Sequence, residues 1–190
     1  MTKINFLTRE DGVESEAKGS DGRVDVSSRS DGRGYYNSRD ESESYVLVFS
    51  DANCTTADYC VHLQNKKTDG KHLVIRSASV NSDTASSFEF LTVTGTAGGG
   101  AVSATPANLN FAGVAKSSTT TANTVADSDS SPISGLSDGT VVDHVNVVAG
   151  GHEEFRFQDQ LRLGQDQAVA IKVKSGTGVS CFGVVFFYFE

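Results

Sequence analysis

The chain has 190 residues, 16 of them basic and 24 acidic, for a formal net charge of -8 and a pI near 4.9. That length holds one domain with a sizeable core, or one domain and an arm. The acidic balance argues against a nucleic-acid partner, because neutralising phosphates takes clustered Lys and Arg.

The amino end, Met1 to Leu7, lacks the apolar run of a secretion signal and turns charged at Arg9-Glu10-Asp11. With no candidate membrane span, synthesis and folding in a cytoplasm are the expectation. Residues 1–44 are rich in Gly, Ser, Asp, Glu and Arg, a composition that cannot bury enough apolar surface to fold alone. Within them Ser20-Asp21-Gly22-Arg23 and Ser30-Asp31-Gly32-Arg33 form a short near-repeat. Asp-Gly is a strong turn signal, so each copy reads as a turn entering an extended piece. The segment is read as an extended arm that orders against a partner subunit. Its expected partner-binding residues are Arg29, Arg33, Tyr35, Tyr36 and Arg39, since Arg and Tyr are favoured at interfaces. A flexible leader is the plainer alternative.

From Tyr45 the pattern becomes that of a β-sandwich domain, 45–190. Alternating or continuous β-branched and aromatic runs predict strands at 45–49, 59–65, 72–80, 87–94, 141–148, 153–157, 167–174 and 179–189. Thr68-Asp69-Gly70-Lys71, between two apolar runs, carries the signal of a β-hairpin. Ser175-Gly176-Thr177-Gly178 predicts a tight turn into the last strand. Residues 95–140 read as a long Gly/Ser/Thr-rich loop, with a short strand near 108–111. Connections of that length usually signal contact with something.

The last segment is the most apolar: four of the eleven phenylalanines lie in its twelve residues. It is therefore expected at the centre of the core. Eight strands with almost no helix indicate an all-β, eight-stranded, jelly-roll-like sandwich. In that order the first and last strands lie side by side, so 45–49 should pair with 179–189. An immunoglobulin-like sandwich is the alternative, although the chain has no Trp for its usual core position.

Chemistry is sought without success, and no catalytic residue, cofactor or metal ligand is assigned. His62, His72, His144 and His152 are spread over four segments. Cys54, Cys60 and Cys181 make an odd count with no paired metal spacing. Cys54 and Cys60 flank a loop where a bridge is conceivable, but free thiols are expected in a reducing compartment. Asp127-Ser128-Asp129 supplies two calcium-ligand positions without the rest of the loop. Glu153 and Glu154 are adjacent, so a strand points them to opposite faces, away from acid/base partnership. Ile133-Ser134-Gly135 lacks the first glycine of a nucleophile elbow.

Several stretches carry a family resemblance. They are Arg33-Gly34-Tyr35-Tyr36-Asn37-Ser38-Arg39-Asp40 leading into Ser44–Phe49, the Thr94–Gly99 loop with Thr105-Pro106-Ala107-Asn108-Leu109-Asn110, Leu163–Ile171, and the ending Phe186–Glu190. Across roughly residues 30 to 190 the chain resembles small jelly-roll virion proteins of tailed bacteriophages, which decorate the capsid exterior. The resemblance implies a non-enzymatic capsid decoration (cement) protein, often trimeric, with the major capsid protein and its own copies as partners. It implies location on the virion after synthesis in the host cytoplasm, with no nucleic-acid or membrane partner. A tail-fibre or baseplate receptor- or glycan-binding module is the alternative, with Tyr35, Tyr36 and the 95–140 loop as its candidates. A hydrolase is the weakest reading.

Overall fold

The structure is a computed structural model that describes residues 5–7, 14–16, 43–99, 101–109, 122–127 and 133–190. The chain divides into two compact units, Met1–Gly32 and Arg33–Glu190. In the first, β1 (Asn5–Leu7) pairs antiparallel with β2 (Glu14–Glu16). The second carries the remaining strands.

Its strands are β3 (Ser44–Thr55), β4 (Tyr59–Asn65), β5 (Leu73–Ser82), β6 (Ser86–Gly99), β7 (Ala101–Ser103) and β8 (Ala107–Asn108). They continue with β9 (Ala122–Asp127), β10 (Ile133–Val147), β11 (Gly151–Leu163), β12 (Ala168–Ser175) and β13 (Thr177–Phe189). Two sheets face each other, in the orders β11-β5-β13-β3-β8 and β10-β6-β12-β4-β9-β7. Among the described residues no helix is long and apolar enough to cross a membrane.

The pairings reveal a rolled ribbon. Strands β3, β4, β5 and β6 run outward along one arm, and β13, β12, β11 and β10 return antiparallel along the other. Rolling that ribbon brings β13 against β5 and β12 against β6. The resulting sheets, β3-β13-β5-β11 and β4-β12-β6-β10, have the jelly-roll order, and the fold is an all-β sandwich of that kind. Between β6 and β10, the described strands β8 and β9 pair with β3 and β4.

The expected pairing of the first and last strands is found. Tyr45 faces Phe187, Leu47 faces Val185 and Phe49 faces Gly183. β13 lies between β3 and β5, and its inward side chains Val185, Phe187 and Phe189 are buried. Tyr45 stacks on Phe187 with ring centroids 5.4 Å apart. Phe90 of one sheet meets Phe157 of the other at 4.7 Å, which ties the layers together.

The hairpin expected at Thr68–Lys71 is corrected. β4 lies in one sheet against β12 and β9, while β5 lies in the other against β13 and β11. Strands adjacent along one arm of the ribbon must change sheet, so the turn crosses the sandwich edge. Asn65 organises that crossing: its side-chain amide donates to the Lys71 and Leu163 carbonyls, and its Oδ1 accepts from the Lys67 amide. The same logic makes Gly176 a sheet-to-sheet step between β12 and β13.

Several strands outrun their expected lengths, and the 95–140 stretch carries paired strand as well as loop. β6 continues to Gly99 and β10 begins at Ile133, joined through an irregular step where Gly95 and Gly135 both have positive φ. A Cβ on either glycine would strike the opposite backbone. Near the short strand expected at 108–111 the structure has β8, which shares only Asn108 with it and pairs with Tyr45 and Val46; 110–111 lie outside the described residues.

Candidate functional site

The histidines do not converge. His62 is on β4 and His144 on β10, at opposite sides of β12 and β6 in one sheet; His152 is on β11 in the other sheet, and His72 precedes β5. His72, His144 and His152 are exposed, whereas His62 is buried with neither ring nitrogen hydrogen-bonded. Burial, with Lys66 nearby, pulls the His62 pKa down to about 4. Glu154 is spent on Arg156, at 2.7 Å. Arg29, Arg33, Tyr35, Tyr36 and Arg39 lie outside the described residues, as does Asp129 of the Asp127-Ser128-Asp129 motif.

Three features remain that patterning alone did not single out. The first is an apolar strip on the outward face of the five-stranded sheet. Strand alternation that buries Leu47, Phe49, Val185 and Phe187 turns Val46, Val48, Phe182, Val184 and Phe186 the other way. Register then sets Val46 opposite Phe186 and Val48 opposite Val184. Val48 is 65% exposed and Phe182 58% exposed, unusual for large apolar side chains on the two adjacent strands β3 and β13. A contiguous apolar strip on a soluble surface marks a contact site more often than a scattered exposed residue does. The signal was present in the continuous apolar run 182–189, which was expected at the centre of the core.

The second is a charged knot at the start of the sandwich. Glu43 is 3% exposed and receives Lys67 at 2.7 Å and Lys71 at 2.5 Å, one on each carboxylate oxygen. Lys67 also contacts Asp69 at 3.3 Å and lies 4.9 Å from the Phe189 ring centroid. Burial pushes the Glu43 carboxyl up, but the hydrogen bonds from Lys67 and Lys71 outweigh it, so its pKa is lowered overall. With every charge matched, the knot is structural. It clamps the chain entering β3 to the β4–β5 crossing and to the last strand.

The third is a buried cluster of thiols. Cys54 on β3, Cys60 on β4 and Cys181 on β13 are buried and in no disulfide, with their sulfurs within 4.8 Å of one another. The Cys181 thiol donates to Cys60 Sγ at 3.5 Å and lies 3.9 Å from Cys54 Sγ. The hydrogen bond with Cys181 is the largest influence on Cys54, whose pKa rises to about 12. Cys60 is raised by both neighbours and by burial. Thiols held protonated in this way are poor nucleophiles at neutral pH.

On the other sheet's outer face, Tyr59 donates to Asp138 at 2.5 Å, and Lys172 pairs with the second Asp138 oxygen. Lys172 also sits 5.2 Å from the Tyr59 ring centroid. Burial, then the Asp138 hydrogen bond, raises the Tyr59 pKa to about 12, so the phenol stays protonated. Nothing in this trio offers a free base or nucleophile.

No protein-family model matches the chain, and neither the curated proteins nor the solved structures yield a match.

Proposed function

We propose that the chain is a structural virion protein of a tailed bacteriophage, a capsid decoration protein that associates with copies of itself and binds the outer surface of the head. The observation that carries the reading is the apolar strip Val46, Val48, Phe182, Val184 and Phe186 on the open face of the central strands. Such a strip serves a protein that spends its working life bound to other subunits. The resemblance of residues 30–190 to small jelly-roll virion proteins supplies the partner. A jelly roll alone does not assign a function, since the fold also serves lectins and cupins.

The physical case is one of many weak contacts. Subunits arrayed on a shell gain avidity without any single tight interface. Association through the strip, as a trimer, covers apolar surface that one copy leaves in water. Residues 1–44, with Arg29, Arg33, Tyr35, Tyr36 and Arg39, then supply the contact to the major capsid protein.

The test is sedimentation of the purified full chain, alone and with assembled heads that lack it. Self-association and co-sedimentation, both weakened by Phe182→Asp without loss of the cooperative melt, support the reading. A strict monomer that leaves the heads undecorated removes it. Binding to a glycan array with no affinity for heads transfers the protein to the tail-fibre or baseplate alternative.

A further inference from the structure

The three thiols have a geometry that apolar packing does not require. Ligands about 2.3 Å from a tetrahedral thiolate-bound ion stand about 3.8 Å from each other. The sulfurs of Cys181 and Cys60 are 3.5 Å apart and those of Cys181 and Cys54 are 3.9 Å apart. All three lie within 4.8 Å of one another. Two of the three separations match the edges of such a tetrahedron, and the third side closes within 4.8 Å.

The backbone at each cysteine is also irregular. The β3–β13 register slips on both sides of Val179, opposite Cys54, and the β4–β12 register slips beside Cys60. Asn53, at φ 60°, breaks the alternation of β3. As a result Asp51 and Cys54, three residues apart, are both buried. The Asp51 side chain interacts with the Cys54 thiol. A buried carboxylate on a core strand is a costly neighbour for a purely apolar cluster.

We propose that Cys54, Cys60 and Cys181 form a binding site for one thiophilic divalent cation of closed d shell, Zn2+ or its softer analogue Cd2+. Ligand type supports the class, because thiolates select soft ions. Binding replaces three S–H bonds with three metal–sulfur bonds and releases three protons to solvent, with no change of oxidation state. Because the ligands bind as thiolates and release protons, affinity rises with pH.

An entry route is built in. Cys54 and Cys60 stand at either end of the short β3–β4 turn, where Thr56 and Ala57 are exposed and Ala57 has φ 80°. Opening that turn uncovers two ligands together. The bound ion would then pin β3 and β13 of one sheet to β4 of the other, stiffening the sandwich. This inference stands on the cluster alone and is independent of the virion reading.

The test is titration of the reduced full chain with Cd2+, following thiolate-to-metal charge-transfer absorption, proton release and the melting temperature. The expected result is one ion and about three protons per chain, a higher melting temperature, and displacement of bound Zn2+ by Cd2+. Cys181→Ser should weaken binding by more than about 100-fold, exceeding the loss typical of outer-shell changes. If that variant fails to fold, Co2+ bound to the unaltered chain still counts the ligands, since the sulfur charge-transfer intensity scales with thiolate number. Absence of the charge-transfer band, an intensity of one or two thiolates, or binding unchanged in Cys181→Ser each overturns the proposal.

Discussion

The Phe49 ring of β3 lies over Gly183 of β13, its cross-strand partner. A Cβ built on Gly183 would fall 2.6 Å from the Phe49 Cζ and would also collide with the Ser79 carbonyl oxygen of β5. Glycine is therefore what lets a large ring fill the centre of the sandwich between two neighbouring strands. Gly183→Ala should destabilise the fold by about 1–3 kcal/mol, the usual cost of forced overpacking. Urea denaturation checks this as a lower midpoint at an unchanged slope, and an unchanged midpoint would mean that the ring is free to move aside.

The Glu43 knot should respond asymmetrically to substitution. Glu43→Gln removes the buried countercharge of Lys67, itself only 7% exposed, and leaves it the half-exposed Asp69 alone. Breaking one partner of a buried pair typically costs about 3–5 kcal/mol. Glu43→Gln combined with Lys67→Met should recover much of that loss, because no unmatched buried charge remains at position 67. Thermal melts of the single and double variants decide it; a double variant no better than the single one contradicts the account.

His62 makes stability depend on pH. Its pKa falls from 6.5 in the unfolded chain to about 4 in the fold, so the folded state binds fewer protons across that interval. Stability is therefore fully present above pH 6.5 and is lost as pH falls toward 4. Between pH 6.5 and 5 the loss should be about 2 kcal/mol, in a window above the lowered carboxyls of Glu43 and Asp138. His62→Leu should flatten the curve there. Equal pH dependence in both proteins would show that the imidazole ionises in place.

Removing Val185–Glu190 should abolish soluble folding. The deletion takes away the ladder that β13 makes with both β3 and β5, together with the buried rings of Phe187 and Phe189. Each buried Phe is worth about 3–5 kcal/mol against truncation, more than a domain of this size can spare. A soluble, cooperatively melting truncate would show that the strand is peripheral.

Strand identity was largely legible because it is written locally. Tyr59–Asn65 is a β strand within the expected limits, and the apolar density of 179–189 marked the central strand before any pairing was known. The sheet crossing at Thr68–Lys71 was not legible, since Asp-Gly serves a hairpin and a sandwich corner alike. Only the antiparallel return of β10 to β13 decides between them. The thiol cluster escaped for a related reason: Cys60 and Cys181 are 121 residues apart, and spacing rules see only neighbours in sequence. The apolar strip was hidden inside a run that looked buried on both sides, when one side faces outward.

The proposal that this chain is a phage virion protein is tested most directly by a cryo-electron microscopy map of the native particle. The account predicts sandwich density arrayed on the outer surface of the head. The strip around Val48 and Phe182 should meet a neighbouring copy, and the amino-terminal segment should run onto the major capsid protein. Heads bare of such density, or sandwich density found at the tail fibres or baseplate instead, would contradict it.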